Sequence, residues 1–133
     1  GAVESTMQML SRLKEGECVG IMVDGPSGPL HKVKNGAIKL AQMSGAPIVP
    51  AHWYSPQKTF ISLPSWDKMK TPFGDCKILN LYGTPVYVKQ DASDEELSSA
   101  KENIRTQLLE LEAKAPEIYE EAKKQKLWDK KKN

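Results

Sequence analysis

Between positions 24 and 34 the chain reads Asp24-Gly25-Pro26-Ser27-Gly28-Pro29-Leu30-His31-Lys32-Val33-Lys34. Glycines leave backbone amides uncovered, prolines fix the course of a turn, and two lysines add positive charge. Ahead of a helix, that combination attracts an anion, above all a phosphate. The candidate ligand-binding set is therefore Asp24, Gly25, Pro26, Ser27, Gly28, Lys32 and Lys34. A plain Gly-Pro connecting loop with solvated lysines is the structural alternative. The string is not a Walker loop, because no Gly-Lys-Ser/Thr closes it, and the G-x-G-x-x-G spacing of dinucleotide loops is absent. Ser27 is not in a nucleophile elbow either, since Pro29 stands where the second glycine of G-x-S-x-G belongs.

The other reactive side chains form no motif. A histidine general base needs a carboxylate to orient it, yet five residues beyond His31 and His52 stand Gly36 and Gln57. His52, at the end of an apolar run beside Trp53, reads as a packed structural histidine. Cys18 and Cys76 lie far apart with no CxxC and no histidine cluster, so neither zinc nor a disulfide framework is indicated, and no bound cofactor is expected. The Lys-rich end around Trp128 could touch an anionic membrane surface or end free in solution.

The elements that must position the 24–34 loop alternate between helix and strand. Met7, Leu10 and Leu13 recur at helical spacing before Gly16. Residues 18–23 (Cys-Val-Gly-Ile-Met-Val) are short, apolar and β-branched, as in a buried strand of a parallel sheet. After the loop, Asn35 can cap a helix that ends at Gly45, and 46–53 forms the next strand. Strand, loop, helix and strand make a crossover unit, whose loop lies where open α/β sheets bind ligands. Further strands are expected near 59–63, 77–82 and 86–88, with structured loops around Pro64-Ser65-Trp66-Asp67 and Pro72-Phe73-Gly74. Ser93 and Glu96 have capping-box spacing, and Leu97, Ala100, Ile104, Leu108 and Leu111 then follow as one apolar stripe. Pro116 is expected to open a second helix, from Glu117 to about Lys126.

These 133 residues suffice for one domain. With 39% hydrophobic and 27% charged residues the chain has the balance of a folded globular protein. Nineteen Lys and Arg against seventeen Asp and Glu leave a net charge of +2, too small to argue for nucleic acid. No apolar run reaches the roughly 18 residues of a membrane span, and no secretory signal opens the sequence.

Several blocks, taken in order, resemble the lysophospholipid acyltransferase-like superfamily, and within it the bacterial DUF374 acyltransferase-like group. They are Asp24-Gly25-Pro26-Ser27-Gly28-Pro29, the stretch Lys32-Val33-Lys34-Asn35-Gly36-Ala37-Ile38-Lys39-Leu40-Ala41, then Gly45-Ala46-Pro47-Ile48-Val49-Pro50, and Ser65-Trp66-Asp67. By that resemblance Asp24-Gly25 corresponds to the third family motif, whose neighbourhood contacts the phosphate of a glycerophosphate acceptor, and Val49-Pro50 to the fourth. Ser27 stands where the family usually has Arg, so the bidentate guanidinium contact is missing and Lys32, Lys34 or backbone amides must substitute. The family's catalytic His-x4-Asp occurs nowhere in this sequence. In the relatives it lies upstream of the helix with which this chain opens, so the expectation is the C-terminal part of a longer protein, inactive alone.

The resemblance implies an α/β fold, part of an acyltransferase-like domain with a mostly parallel central sheet flanked by helices over 1–90. A C-terminal helical extension with a basic tail covers 91–133. It also implies an acyl donor, acyl-CoA or acyl carrier protein, and a lysophospholipid or other phosphorylated lipid, such as a lipid-A-like molecule, as acceptor. The location would be cytoplasmic, with peripheral contact at the inner membrane. The alternative reading is a non-catalytic lipid- or phosphate-binding module or interaction domain.

Overall fold

The computed structural model describes residues 2–25, 28–56, 60–65, 69–72, 74 and 76–127. Pro26, Ser27, Trp66, Asp67 and the tail with Trp128 lie outside the described residues.

The apolar stripe of the last third builds the longest element, helix α3 (Asp94–Lys124). Its capping box forms as the sequence predicts: the Ser93 hydroxyl accepts from the Glu96 amide at 3.2 Å, and the Ser93 amide donates to Glu96 Oε2 at 2.8 Å. Ile104, fully buried, joins Val33, Ile38 and Val86 in the core. The expected break at Pro116 does not occur. Ala115, Tyr119 and Ala122 are buried and prolong the face of Ile104, Leu108 and Leu111 in steps of three and four. The Tyr119 ring meets that of Tyr54 edge-on at 5.6 Å. Burial along that face outweighs the one helical hydrogen bond that proline removes.

Helix α1 (Ala2–Lys14) packs on helix α2 (Asn35–Ser44), which buries Ala37, Ile38, Leu40 and Ala41. Gly45, at φ 73°, closes α2 with its amide on the Ala41 carbonyl at 2.9 Å. Glycine adopts this left-handed conformation without steric cost. At the other end, Asn35 is the first helical residue rather than the cap. Lys34 occupies the cap position, and among the described residues no side chain caps the helix.

The strands are β1 (Ala51–Tyr54), β2 (Phe60–Ser62), β3 (Lys70–Pro72) and β4 (Leu79–Tyr82). β1 pairs antiparallel with β4, placing His52 opposite Leu81, and β2 pairs antiparallel with β3. α3 crosses β1 and β4. Beyond β1 and β4 the Gly83 amide still donates to the Pro50 carbonyl at 2.8 Å, but the next bridge, Ile48 with Val86, is offset by one residue. Thr84 falls in this bulge, and the side-chain amide of Gln107 on α3 takes the place of a strand. It accepts from the Thr84 amide at 2.7 Å and donates to the Thr84 carbonyl at 3.2 Å. A bulge that would leave backbone groups unpaired thereby ties the sheet to the helix.

The fold is mixed α/β, but the mostly parallel central sheet expected from the sequence is not found. Among the described residues every ladder is antiparallel, in two two-stranded sheets. The reason lies in residues 18–23, which do not form a buried strand. They have no ladder partner, Val23 already lies in a turn, and Ile21 is 38% and Met22 75% exposed. The crossover unit therefore has a helix and a second strand but no parallel pair. Two smaller differences accompany this one. Residues 70–72, expected in a loop, pair as β3, whereas 86–88 supplies only the bridge at Val86. Among the described residues no helix is long and apolar enough to cross a membrane.

Candidate functional site

The 24–34 loop is pinned at its base. The Lys34 amide donates to the Val23 carbonyl at 2.7 Å, so the residues that open and close the loop lie side by side. Gly25, at φ 71°, sends its amide to the Met22 carbonyl at 3.1 Å; the Gly28 amide reaches the Gly25 carbonyl at 3.4 Å, and the Lys32 amide the Pro29 carbonyl at 3.3 Å. The glycine amides expected to face a ligand are thus engaged within the loop. A Cβ on Gly25 would stand 3.6 Å from Lys34 Cγ, so the Lys34 stem runs against the glycine.

Donors remain at the start of α2. With no capping side chain, the exposed first-turn amides of Asn35 and Gly36 have no hydrogen-bond partner among the described residues. They carry the positive end of the helix dipole. Lys32 and Lys34 are exposed beside them. Asp24 goes elsewhere: it is 8% exposed and lines an apolar groove that neither lysine lines. The expected set therefore divides into a cationic rim and a buried carboxylate, with Gly25 and Gly28 as the turns between them.

The groove, about 870 Å³, is lined by residues 18–24, by the 46–52 stretch that leads into β1, and by Ala37, Ala41, Ile104 and Leu108. At its edge, α3 presents Arg105, Leu109 and Glu112, successive positions on one helical face. Glu112 Oε2 lies 3.5 Å from His31 Nε2, and both side chains are about half exposed. This histidine–carboxylate pair was not legible from motif spacing, since 81 positions separate its members. The available signal was helical: Glu112 follows Leu108 by four residues and so borders the apolar stripe. Exposed, the pair is worth no more than about 1 kcal/mol.

His52 also lines the groove. Burial lowers its pKa below the ordinary 6.5, opposed by the nearby Glu112 carboxylate and reinforced by Lys70. The folded chain therefore binds this proton more weakly than the unfolded chain does. Stability from His52 is fully present above pH 6.5 and is lost as pH falls through the lowered folded value. Urea midpoints measured across about pH 5 to 7 should decline toward acid, and His52→Gln should flatten that decline. An identical slope in the variant would assign it to other groups. Among the described residues no group of three or more His, Cys, Asp or Glu side chains is placed to hold a metal.

No family model matches the chain, and no solved structure matches it. The chain is similar to an uncharacterized protein of Rickettsia prowazekii (strain Madrid E), with 27% identity over 103 residues. The match covers 76% of this chain and 45% of the relative, so the chain spans less than half the length of the protein it resembles.

Proposed function

We propose that the chain is the acceptor-binding portion of an acyltransferase-like protein that moves an acyl group from acyl-CoA or acyl carrier protein to a lysophospholipid or lipid-A-like hydroxyl. In this reading the phosphate of the acceptor meets Lys32, Lys34 and the first turn of α2, while Gly25 and Gly28 shape the turn that presents them. The observation that carries it is the uncapped start of α2, where exposed Asn35 and Gly36 follow the exposed Lys32 and Lys34 and the helix end has no partner among the described residues. Anion binding at such an end draws on both hydrogen bonding and the dipole. Leu30 and Met22, 45% and 75% exposed near the same loop, supply apolar contacts suited to a membrane surface beside the lysines. The role proposed for this chain is binding rather than chemistry, because the sequence contains no His-x4-Asp. The histidine–carboxylate pair it does possess lies at the groove edge, with Lys32 and Lys34 outside the groove.

Isotope-labelled chain titrated with inorganic phosphate, and separately with a lysophosphatidic acid below its micelle concentration, tests this. The expected result is saturable movement of the Asn35 and Gly36 amide signals in both titrations. Signals that move only along α3, or do not move, would remove the phosphate-binding reading.

A further inference from the structure

One wall of the groove, residues 18–21, is backbone with no hydrogen-bond partner among the described residues. No helix, turn or strand is formed by residues 17–22, and the amides and carbonyls of Cys18, Val19, Gly20 and Ile21 enter no hydrogen bond among the described residues. The lining also includes Ala51 and His52 of β1, whose second edge carries no ladder partner among the described residues. At the end of the first wall, the Asp24 carboxylate is 8% exposed and has neither a hydrogen bond nor an ion pair among the described residues. An unpaired strand edge is a template for another strand, and a buried carboxylate without a donor is costly.

These features separate the chemistries that an apolar groove could take. An alkyl chain would fill the volume but leave the backbone edges and Asp24 unsatisfied. An extended polypeptide fills it with side chains, pairs with the edges and brings donors. We propose that the groove seats an apolar β-strand, supplied by polypeptide outside these 133 residues, which pairs with residues 18–21 and β1 and donates to Asp24. A source of suitable length exists in the Rickettsia relative: the match covers 45% of that chain, leaving 55% outside it. The proposal is independent of phosphate binding at Lys32 and Lys34, which lie outside the groove.

The test adds short synthetic peptides, tiled across the unmatched part of the Rickettsia relative, to the isotope-labelled 133-residue chain and follows amide hydrogen exchange. One peptide should slow exchange at Cys18, Val19, Gly20 and Ile21 by roughly tenfold or more. The same peptide N-methylated at alternate residues should not. Gly20→Pro should also abolish binding, since it removes a donor from the pairing edge at a position with open space around it. The idea is overturned if no peptide protects these amides, or if they become protected by self-association measured in sedimentation. Protection by a lysolipid alone would overturn it too. Failure of the phosphate titration would leave these readouts unaffected.

Discussion

Ile104→Ala should destabilise the chain by about 3 kcal/mol, within the 2–5 kcal/mol usual for emptying a buried aliphatic site. Ile104 is fully buried in one cluster with side chains from three separate places: Val33 at the loop's end, Ile38 on α2 and Val86 beyond β4. No single neighbour can relax to fill the space without pulling another out of register. The cost should therefore include both the lost burial and a residual cavity. For a chain of this size that corresponds to roughly a 10 °C fall in Tm, measured by calorimetry or circular dichroism. Ile118→Ala, on the same helix but at a residue 38% exposed, should cost no more than about 1 kcal/mol. Equal effects at the two positions would mean that α3 does not dock through Ile104.

The same helix shows how far the sequence could be read. Its start was legible because Ser93 and Glu96 satisfy a local rule, and its inward face because Leu97, Ala100, Ile104, Leu108 and Leu111 repeat at a helical period. Its continuation was not, because Pro116 is locally a breaker. Only the buried Ala115, Tyr119 and Ala122 show that the face runs on. The strands β1, β2 and β4 were legible as apolar runs but not as partners, and β3, Lys70–Pro72, was not legible as a strand. Nothing local to residues 18–23 distinguishes a paired strand from an unpaired segment, since pairing depends on what stands beside it. The 24–34 loop was recognisable from composition, but not the division of its parts. Which amides are free depends on hydrogen bonds such as Lys34 to Val23, and the turn of Asp24 into the groove depends on the packing of the whole chain.

Reversing both rim charges, Lys32→Glu with Lys34→Glu, should weaken phosphate binding on the order of a hundredfold at low salt. A unit charge about 6 Å from a phosphate charge contributes about 0.7 kcal/mol in water. Two reversals change four charge units and so remove about 3 kcal/mol, which is about two decades in Kd. The effect should shrink steeply with added salt, as the screening length falls from about 10 Å at 0.1 M to about 3 Å at 1 M. Stability should not fall with affinity. Both lysines are exposed, and at the α2 cap position of Lys34 an acidic side chain suits the helix dipole better than a basic one. Lys32→Arg with Lys34→Arg keeps the charge and should retain binding within a few fold, because the point charges rather than one fixed geometry supply the attraction. Isothermal titration with inorganic phosphate at low and high salt, paired with a melting curve for each variant, separates the cases. Affinity unchanged by charge reversal would place the anion elsewhere. Affinity lost together with Tm would mean that the lysines hold the loop rather than its ligand.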